Sequence, residues 1–131
     1  MTAKVKTWMG GFSYTFENGY VLSCAIGPGS YSDNKCKPWP YEDNYTSSTM
    51  EVAVIDPQGD LMTLISITDA EGYTHTDSVV GWVPAELLPK LLLWIKIWDK
   101  DEPETNKIRA LSFGSYCDKK AREYTTDGHS V

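Results

Sequence analysis

The chain has 131 residues, a net charge of −6 and 41% apolar residues, and five of its residues are tryptophans. This length accommodates one domain with one buried core, and the apolar content is typical of a globular protein rather than a disordered one. The negative charge excludes a dense basic face, so we do not expect duplex nucleic acid as a partner. The lysines nevertheless occur in small local groups, which is compatible with a site for a small anion.

Nothing in the sequence predicts a membrane-spanning helix or a disulfide framework. The longest apolar run, residues 87–98, contains a proline and two lysines, whereas a spanning helix needs about 20 apolar residues. The start of the chain lacks the basic and then apolar pattern of a signal peptide, so a cytosolic location is the expectation. Cys24, Cys36 and Cys117 are odd in number and have no CxxC spacing, which favours three reduced thiols.

Residues 12–26, FSYTFENGYVLSCAI, are typical of a β-hairpin. A two-residue loop at Asn18 and Gly19 would place the aromatic row opposite Ser23 and Ala25. A three-residue loop, residues 17–19, instead gathers every large apolar side chain on one face, so burial favours this register. Its expected pairs are Phe16 with Tyr20, Tyr14 with Leu22, and Phe12 with Cys24. Gly19 then takes the left-handed position of the bulge.

The middle of the chain predicts a long loop, a second hairpin and a strand. Residues 27–49 show no alternation, and an unstructured connection of this length is more often functional than idle. The segments TMEVAVI and DLMTLI flank a turn at 56–59 that has the Pro and Gly of a type I turn. SVVGWV, residues 78–83, is typical of a short strand. A helix then begins at Pro84 and is kinked by Pro89, or begins at Pro89 itself.

The predicted helix, KLLLWIKIW, is apolar almost all round. One stripe would face the core, namely Leu88, Leu91, Leu92, Ile95 and Trp98. A second apolar face remains, and in a small domain such a face usually packs against a partner. We therefore predict a homo-oligomer, most simply a two-fold dimer, with the interface formed by Leu87, Leu93, Trp94 and Ile97. The alternative is that the C-terminal segment of the same chain covers this face.

The C-terminal part gives weaker patterns. Residues 108–117, IRALSFGSYC, fit a last strand better than a helix because a Gly-Ser pair follows the apolar run, and residues 118–131 are predicted to be a flexible tail. The sequence thus predicts one α+β domain, residues 1–131, with its core at about 8–117. A small antiparallel sheet, built from two hairpins and a short strand, would pack against one hydrophobic helix.

A short stretch of sequence occurs twice, as GSYSDNK at 29–35 and GSYCDKK at 114–120. Each copy follows an apolar run, and loops at strand ends are where rigid scaffolds present binding residues. Tyrosine can stack on a planar group, and lysine can meet phosphate charge. The pattern predicts that residues 31–45 and 116–120 together form one pocket, within a chain or across a dimer interface, for a small anionic ligand such as a nucleotide. The alternative is turn chemistry in which the tyrosines cover strand ends. The candidate binding residues are Tyr31, Asp33, Lys35, Lys37, Trp39, Tyr116, Asp118, Lys119 and Lys120.

Catalytic machinery is not recognisable in the sequence. His75 and His129 are the two histidines, and neither belongs to a known nucleophile arrangement. No phosphate-binding loop or dinucleotide fingerprint occurs, and the aspartates are too scattered for a calcium loop. We therefore predict a protein that is not an enzyme, with no catalytic residues, no metal site and no cofactor.

Several structural motifs resemble small uncharacterised accessory proteins of tailed bacteriophages. They are Phe16-x-Asn18-Gly19-Tyr20-x-x-Ser23, the Gly27–Tyr31 loop, Glu51-x-Ala53-Val54-x-Asp56-x-x-Gly59, and Asp77-x-Val79-x-Gly81-Trp82-Val83-x-x-Glu86. The similarity covers roughly residues 12–98. The segment KCKPWPYEDNY and the chain after Asp99 depart from the shorter members.

The resemblance implies a biological setting. Small phage accessory proteins often blunt host defences, so it implies a protein in the cytoplasm of an infected bacterium that sequesters a nucleotide immune signal. Two other functions remain open at this point. One is inhibition of a host protein through exposed aromatic side chains, and the other is a minor role in the virion.

Overall fold

Seven strands and two helices make up the part of the chain that the structure, a computed structural model, describes, residues 2–38 and 44–126. The strands are β1 (Lys4–Trp8), β2 (Gly11–Thr15), β3 (Val21–Ala25), β4 (Thr49–Ile55), β5 (Ile65–Thr68), β6 (Thr74–Asp77) and β7 (Val79–Pro84). A short 3₁₀ turn, Ala85–Leu87, leads into α1 (Leu88–Lys96), and α2 (Pro103–Thr126) follows. The fold is α+β, as predicted.

The strands form one antiparallel sheet of five in the order β1-β2-β3-β4-β7, with β5 and β6 as a separate two-stranded hairpin. In the β2–β3 hairpin, Phe12 pairs with Cys24 and Tyr14 with Leu22, and the amide of Phe16 donates to the carbonyl oxygen of Tyr20. This is the register of the three-residue loop, and Gly19 has a φ of 90°. Both predictions for this hairpin are confirmed.

The core lies between one face of the sheet and the two helices. Strands β3 and β4 contribute alternate side chains to it, and both helices contribute to the same cluster. The residues with no exposed surface include Leu22, Cys24, Val52, Val54, Leu91, Ile95, Phe113 and Cys117. The other face of the sheet is therefore the one on which a ligand or partner can lie without displacing a helix.

Helix α1 begins after the 3₁₀ turn, and Pro89 lies in its first turn, where its missing N–H costs nothing. Leu91, Ile95 and Trp98 are buried as predicted, while Leu88 and Leu92 are half-buried. At the other end of α1 the side-chain amide of Asn18 donates to the carbonyl oxygens of Ile95 and Trp98, at 3.0 Å each. The β2–β3 turn therefore caps this helix.

The C-terminal predictions are wrong. The segment IRALSFGSYC is helical and not a strand, and α2 continues through 118–126, which we predicted to be a flexible tail. Ala110, Phe113 and Cys117 are buried at the three- and four-residue spacing of a helix. The apolar residues of this segment are therefore those that pack α2 against the core, and they do not form a strand. Residues 127–131 lie outside the described part of the chain.

The second hairpin is confirmed at its first strand, which is β4, and at its turn, but not at its return strand. The amide of Gly59 donates to the carbonyl oxygen of Asp56, closing the turn. The predicted return strand, residues 60–65, forms a single bridge between Leu61 and Ile55 and then leaves the sheet. The next strand to pair with β4 is β7, which is the predicted SVVGWV strand.

Two further features of the fold were not predicted, namely β1 and the polar β5–β6 hairpin. Among the described residues, no helix has the length and apolar character needed to cross a membrane.

Candidate ligand-binding face

The face of the sheet opposite the helices, which we call the open face, carries small, polar and β-branched side chains. Side chains alternate between faces along a strand, so the residues next to the buried Leu22, Cys24, Val52 and Val54 point away from the core. Strand pairing arranges them in rows across the sheet. One row is Lys6, Ser13, Ser23, Ala53 and Val79, and the next is Lys4, Thr15, Val21 and Ile55.

A third row has an aromatic side chain at each end. It runs from Trp8 through Gly11 and Ala25 to Glu51, and it ends at the bulge of β7 that contains Gly81. A Cβ atom at Gly11 would lie 2.5 Å from Cζ2 of Trp8, so the indole ring lies directly on this glycine. The missing side chain of Gly11 thus leaves room for the indole ring on the sheet.

At the far end of this row, the side chain of Tyr31 covers Gly81. A Cβ atom at Gly81 would lie 2.4 Å from Cβ of Tyr31. Tyr31 as a whole is 45% exposed, and the ammonium of Lys35 lies 5.1 Å from the centre of the phenol ring. Neighbouring strands are about 4.8 Å apart, so Gly11 on β2 and Gly81 on β7 are separated by about 14 Å.

The bulge holds Trp82 in an unusual conformation, with a φ of 60°. Few bulky side chains adopt positive φ, and such strain persists only where the surroundings enforce it. Here the amide of Trp82 donates to the carbonyl oxygen of Tyr31 at 2.8 Å, and the two rings lie 6.4 Å apart. The strained residue therefore fixes Tyr31 over the sheet.

The loop that presents Tyr31 is held from beneath by buried polar side chains. The hydroxyl of Ser30 donates to the carbonyl oxygen of Gly27 and lies 2.8 Å from that of Ser32. The side-chain amide of Asn34 donates to the carbonyl oxygens of Ile26 and Thr46. Buried and exposed residues alternate from Ser30 to Lys35, so the loop is a rigid platform for Tyr31 and Lys35.

Asp33, although a candidate ligand-binding residue, is used within the protein. Its carboxylate accepts hydrogen bonds from the amide and hydroxyl of Ser48 and from the hydroxyl of Thr49. Partial burial raises the pKa of Asp33, but these hydrogen bonds outweigh it and hold the pKa below its ordinary value of 3.8. The acid therefore ties the loop to β4.

The open face is locally basic although the chain is acidic. Lys4 and Lys6 project from β1, and the ammonium of Lys35 lies near the ring of Tyr31. The aromatic row itself contains one acidic residue, Glu51. The exposed Lys37 lies in the same loop as Lys35. Rings for stacking and cations for phosphate thus lie on one surface.

A hollow adjoins each end of the aromatic row. A cavity of about 540 Å³ next to Trp8 is lined in part by Gly11, Ile26 and Tyr45. A cleft of about 340 Å³ beyond Trp82 is lined by Val79 and Gly81 and by Asp118 and Arg122 of α2. Both hollows are also lined by side chains on the opposite side of the sheet, such as Phe12 and Ala121, so they lie at the edges of the sheet and not on the open face itself.

The second copy of the repeated stretch lies elsewhere. Tyr116 packs between α1 and α2, 5.0 Å from the ring of Trp94, with the ammonium groups of Lys90 and Lys120 at 4.6 and 5.6 Å. Since α2 covers the core face of the sheet, Tyr116 and Tyr31 lie on opposite sides of it. Within one chain the two tyrosines therefore do not share a pocket, contrary to the prediction. The prediction that both copies are loops at strand ends is wrong for the second copy, which is helical.

The other candidate residues of the second copy lie on α2. Asp118 accepts a hydrogen bond from Arg122 at 2.9 Å, and Lys120 lies 3.4 Å from Glu123. Lys119 lines a shallow cavity with Ile67 of the β5–β6 hairpin. Only Asp118 reaches a cavity that Trp82 also lines. Trp39, which was also predicted, lies outside the described residues.

Several residues of the open face were not among the binding residues predicted from the sequence, namely Lys4, Lys6, Trp8, Glu51 and Trp82. An indication for β1 was present, because KVKTW alternates and is followed by Met9-Gly10, a suitable two-residue turn in which Gly10 has a φ of 96°. The position of Trp82 had no local indication, since the bulge arises from pairing with β4.

Other reactive groups in the described part of the chain do not form a recognisable centre. Burial raises the pKa values of the Cys24 and Cys117 thiols to about 12, and Cys36 is exposed. On the exposed β5–β6 hairpin, Nε2 of His75 lies 2.8 Å from Asp69. Across residues 2–38 and 44–126, no group of three potential ligands is placed to hold a metal ion.

Comparison of the chain with protein-family profiles, curated proteins and solved structures finds no match.

Proposed function

We propose that the open face binds a small anionic ligand with more than one planar group, such as a dinucleotide. The observation that carries the proposal is the cross-strand row with Trp8 lying on Gly11 and Tyr31 lying on Gly81. Aromatic rings on a sheet surface are a common means of stacking nucleobases.

The distribution of charge on the open face favours an anionic ligand. The aromatic row is flanked by Lys4, Lys6 and Lys35. The small residues within the row, Gly11 and Ala25, leave space above the sheet for a flat ligand. The few lysines suit a small number of phosphates, whereas the net charge of −6 opposes a long nucleic acid. The protein is therefore proposed to act by binding, without catalysis or a cofactor.

In the setting that the phage resemblance implies, the ligand would be a nucleotide signal of bacterial immunity. A phage accessory protein in the host cytoplasm would then act by sequestering this signal.

Isothermal titration with cyclic and linear dinucleotides and with ADP-ribose derivatives tests the proposal. We expect binding by at least one member, and weakening by about 1–3 kcal/mol in Tyr31→Ala and in Trp8→Ala, the typical contribution of one stacked base. Tyr73→Ala is the matched control because Tyr73 is an exposed tyrosine on the β5–β6 hairpin. Absence of heat for the whole panel, or equal losses in the control, would overturn the proposal.

A second candidate function, inhibition of a host protein, is favoured by a different surface. Leu61 and Ile108 are 58% and 67% exposed, and Leu61 borders a cavity of about 280 Å³ that Met62 and Leu111 also line. Exposed apolar groups beside a pocket are typical of protein interfaces. Affinity purification from infected cells should then recover a stoichiometric host protein with the wild type but not with the double variant Leu61→Asp, Ile108→Asp.

A further inference from the structure

Glu51 lies in the aromatic row beside the bulge that contains Gly81, between the two stacking rings. Its side chain is half-buried, and its Oε1 atom accepts a hydrogen bond from the amide of Tyr31 at 3.2 Å. This contact holds the carboxylate beside the ring on which a planar group would stack. A carboxylate can accept several hydrogen bonds and, when ionised, donates none.

This carboxylate restricts what can lie above it. A phosphate group placed there would be repelled by a like charge, so the phosphates of a ligand belong near Lys4, Lys6 or Lys35. The part of the ligand next to Glu51 must instead be uncharged, planar and rich in hydrogen-bond donors.

Among the nucleobases, guanine fits this description best. Its ring N–H and its exocyclic amino group are adjacent donors on one edge, which match the two oxygens of a carboxylate. Adenine and cytosine each present an amino group next to an acceptor nitrogen, and that acceptor would face the carboxylate with no proton between them.

We propose that Glu51 makes the open face selective for a guanine-containing nucleotide, with the guanine stacked on Tyr31. The inference rests on the proposed function of the open face and adds the identity of the base. Two parallel hydrogen bonds to one base edge commonly give discrimination of tenfold or more.

The variant Glu51→Gln separates recognition of the base from support of the loop. A glutamine side-chain oxygen can still accept the hydrogen bond from Tyr31, whereas its amide group presents a donor where guanine also presents one. The matched control is Glu71→Gln, since Glu71 is an exposed acid at the tip of the β5–β6 hairpin. Equal thermal unfolding midpoints would show that both variants fold like the wild type.

The experiment measures dissociation constants for the cyclic dinucleotides of guanine, hypoxanthine and adenine. For the wild type and Glu71→Gln we expect guanine to bind at least about tenfold more tightly than adenine, with hypoxanthine, which lacks the amino group, in between. For Glu51→Gln we expect the preference to fall below about threefold while stacking and the lysines maintain binding.

Two results would overturn the inference alone: equal affinities of the wild type for guanine and adenine, or an equal loss for every base in Glu51→Gln. The second would show that Glu51 only supports Tyr31. Failure of every dinucleotide and ADP-ribose derivative to bind would instead overturn the proposed function, and the base preference with it.

Discussion

The carboxylate of Asp33 connects a surface loop to the first residues of β4. Four hydrogen bonds join the two segments. The amide of Asp33 donates to the Thr49 hydroxyl at 3.0 Å, and the Asp33 carboxylate accepts from the amide and hydroxyl of Ser48 and from the hydroxyl of Thr49. The loop carries Tyr31, so one acidic side chain determines where a stacking ring lies. Hydrogen bonds to an ionised group exceed those between neutral groups in strength.

This arrangement predicts a pH-dependent effect of Asp33→Asn. The hydrogen bonds lower the folded-state pKa below 3.8, so the carboxylate stabilises the fold above that pH and loses this contribution as the pH falls through the folded value. We expect the variant to lower the free energy of unfolding by about 1 kcal/mol at pH 7. The difference from the wild type should shrink below pH ~4.

Urea denaturation at pH 7, 4.5 and 3 measures this difference. The pKa of Asp69 is also lowered, through its hydrogen bond with His75, but it contributes equally to both proteins and cancels. A difference that stays constant over this pH range would contradict the explanation.

At the scale of elements, α2 is the feature that organises the core side of the molecule. Its buried Asn106 donates to the Tyr20 hydroxyl and to the Asp99 carbonyl oxygen and accepts from Arg109. Further along, α2 passes very close to the chain before β5. A Cβ atom at Gly114 would lie 1.9 Å from the carbonyl oxygen of Leu64.

Gly114→Ala should therefore destabilise the protein, although the same change inside an exposed helix stabilises it by about 1 kcal/mol. Backbone atoms cannot move aside as a flexible side chain can, so we expect a loss of about 1–3 kcal/mol in the free energy of unfolding. Ser112→Ala, at an exposed position of the same helix, should change it by less than about 0.5 kcal/mol. Chemical denaturation compares the two, and a more stable Gly114→Ala would show that α2 does not dock this closely.

The β2–β3 hairpin could be predicted because its information is local. Alternation fixes which side chains are buried, and a one-residue slip would expose Tyr14 and Leu22, so the register follows from the sequence. Strand β1 and the β5–β6 hairpin are harder, because β1 is exposed along its whole length and the hairpin nearly so. Their pairing comes from neighbouring strands and not from an apolar pattern.

The repeated stretch shows why the candidate site was predicted only in part. In the first copy Pro28 precedes and Pro38 follows, and Gly29 has a φ of 84°, so the chain turns. The second copy lies among good helix formers, such as Ala110 and Arg122, and cooperative helix formation includes it. In both copies a lysine four residues after the tyrosine lies near its ring, but the surroundings decide where each pair points.

At the scale of the whole molecule, α1 presents an apolar ridge to solvent. Leu93 and Ile97 are 63% and 79% exposed, whereas Trp94 is half-buried against Phe113 and Tyr116 of α2, and Leu87 is half-buried beside the core. The C-terminal segment thus covers part of the predicted interface within one chain. Of the four residues predicted to form a subunit interface, Leu93 and Ile97 are the two that remain exposed and keep this prediction.

We expect the protein to self-associate through this ridge. Sedimentation velocity should give a dimer for the wild type and a monomer for the double variant Leu93→Glu, Ile97→Glu, because charged residues at an apolar contact would be buried without partners. Leu61→Glu, at an exposed leucine outside α1, should leave the dimer intact. A monomeric wild type at about 100 μM would contradict the prediction, since dimers with micromolar Kd values would be populated there.

The contact from Asn18 to the end of α1 also determines where the polypeptide can be opened. The side-chain amide of Asn18 donates to carbonyl groups 77 and 80 positions further along the chain. A break in that turn would therefore remove the cap of α1 as well as the connection between β2 and β3. Gly72 is the opposite case, because a side chain there would meet nothing within 4 Å and its neighbours are exposed. A short flexible peptide inserted at Gly72 should therefore leave the fold intact, whereas the same insertion at Asn18 should destabilise it.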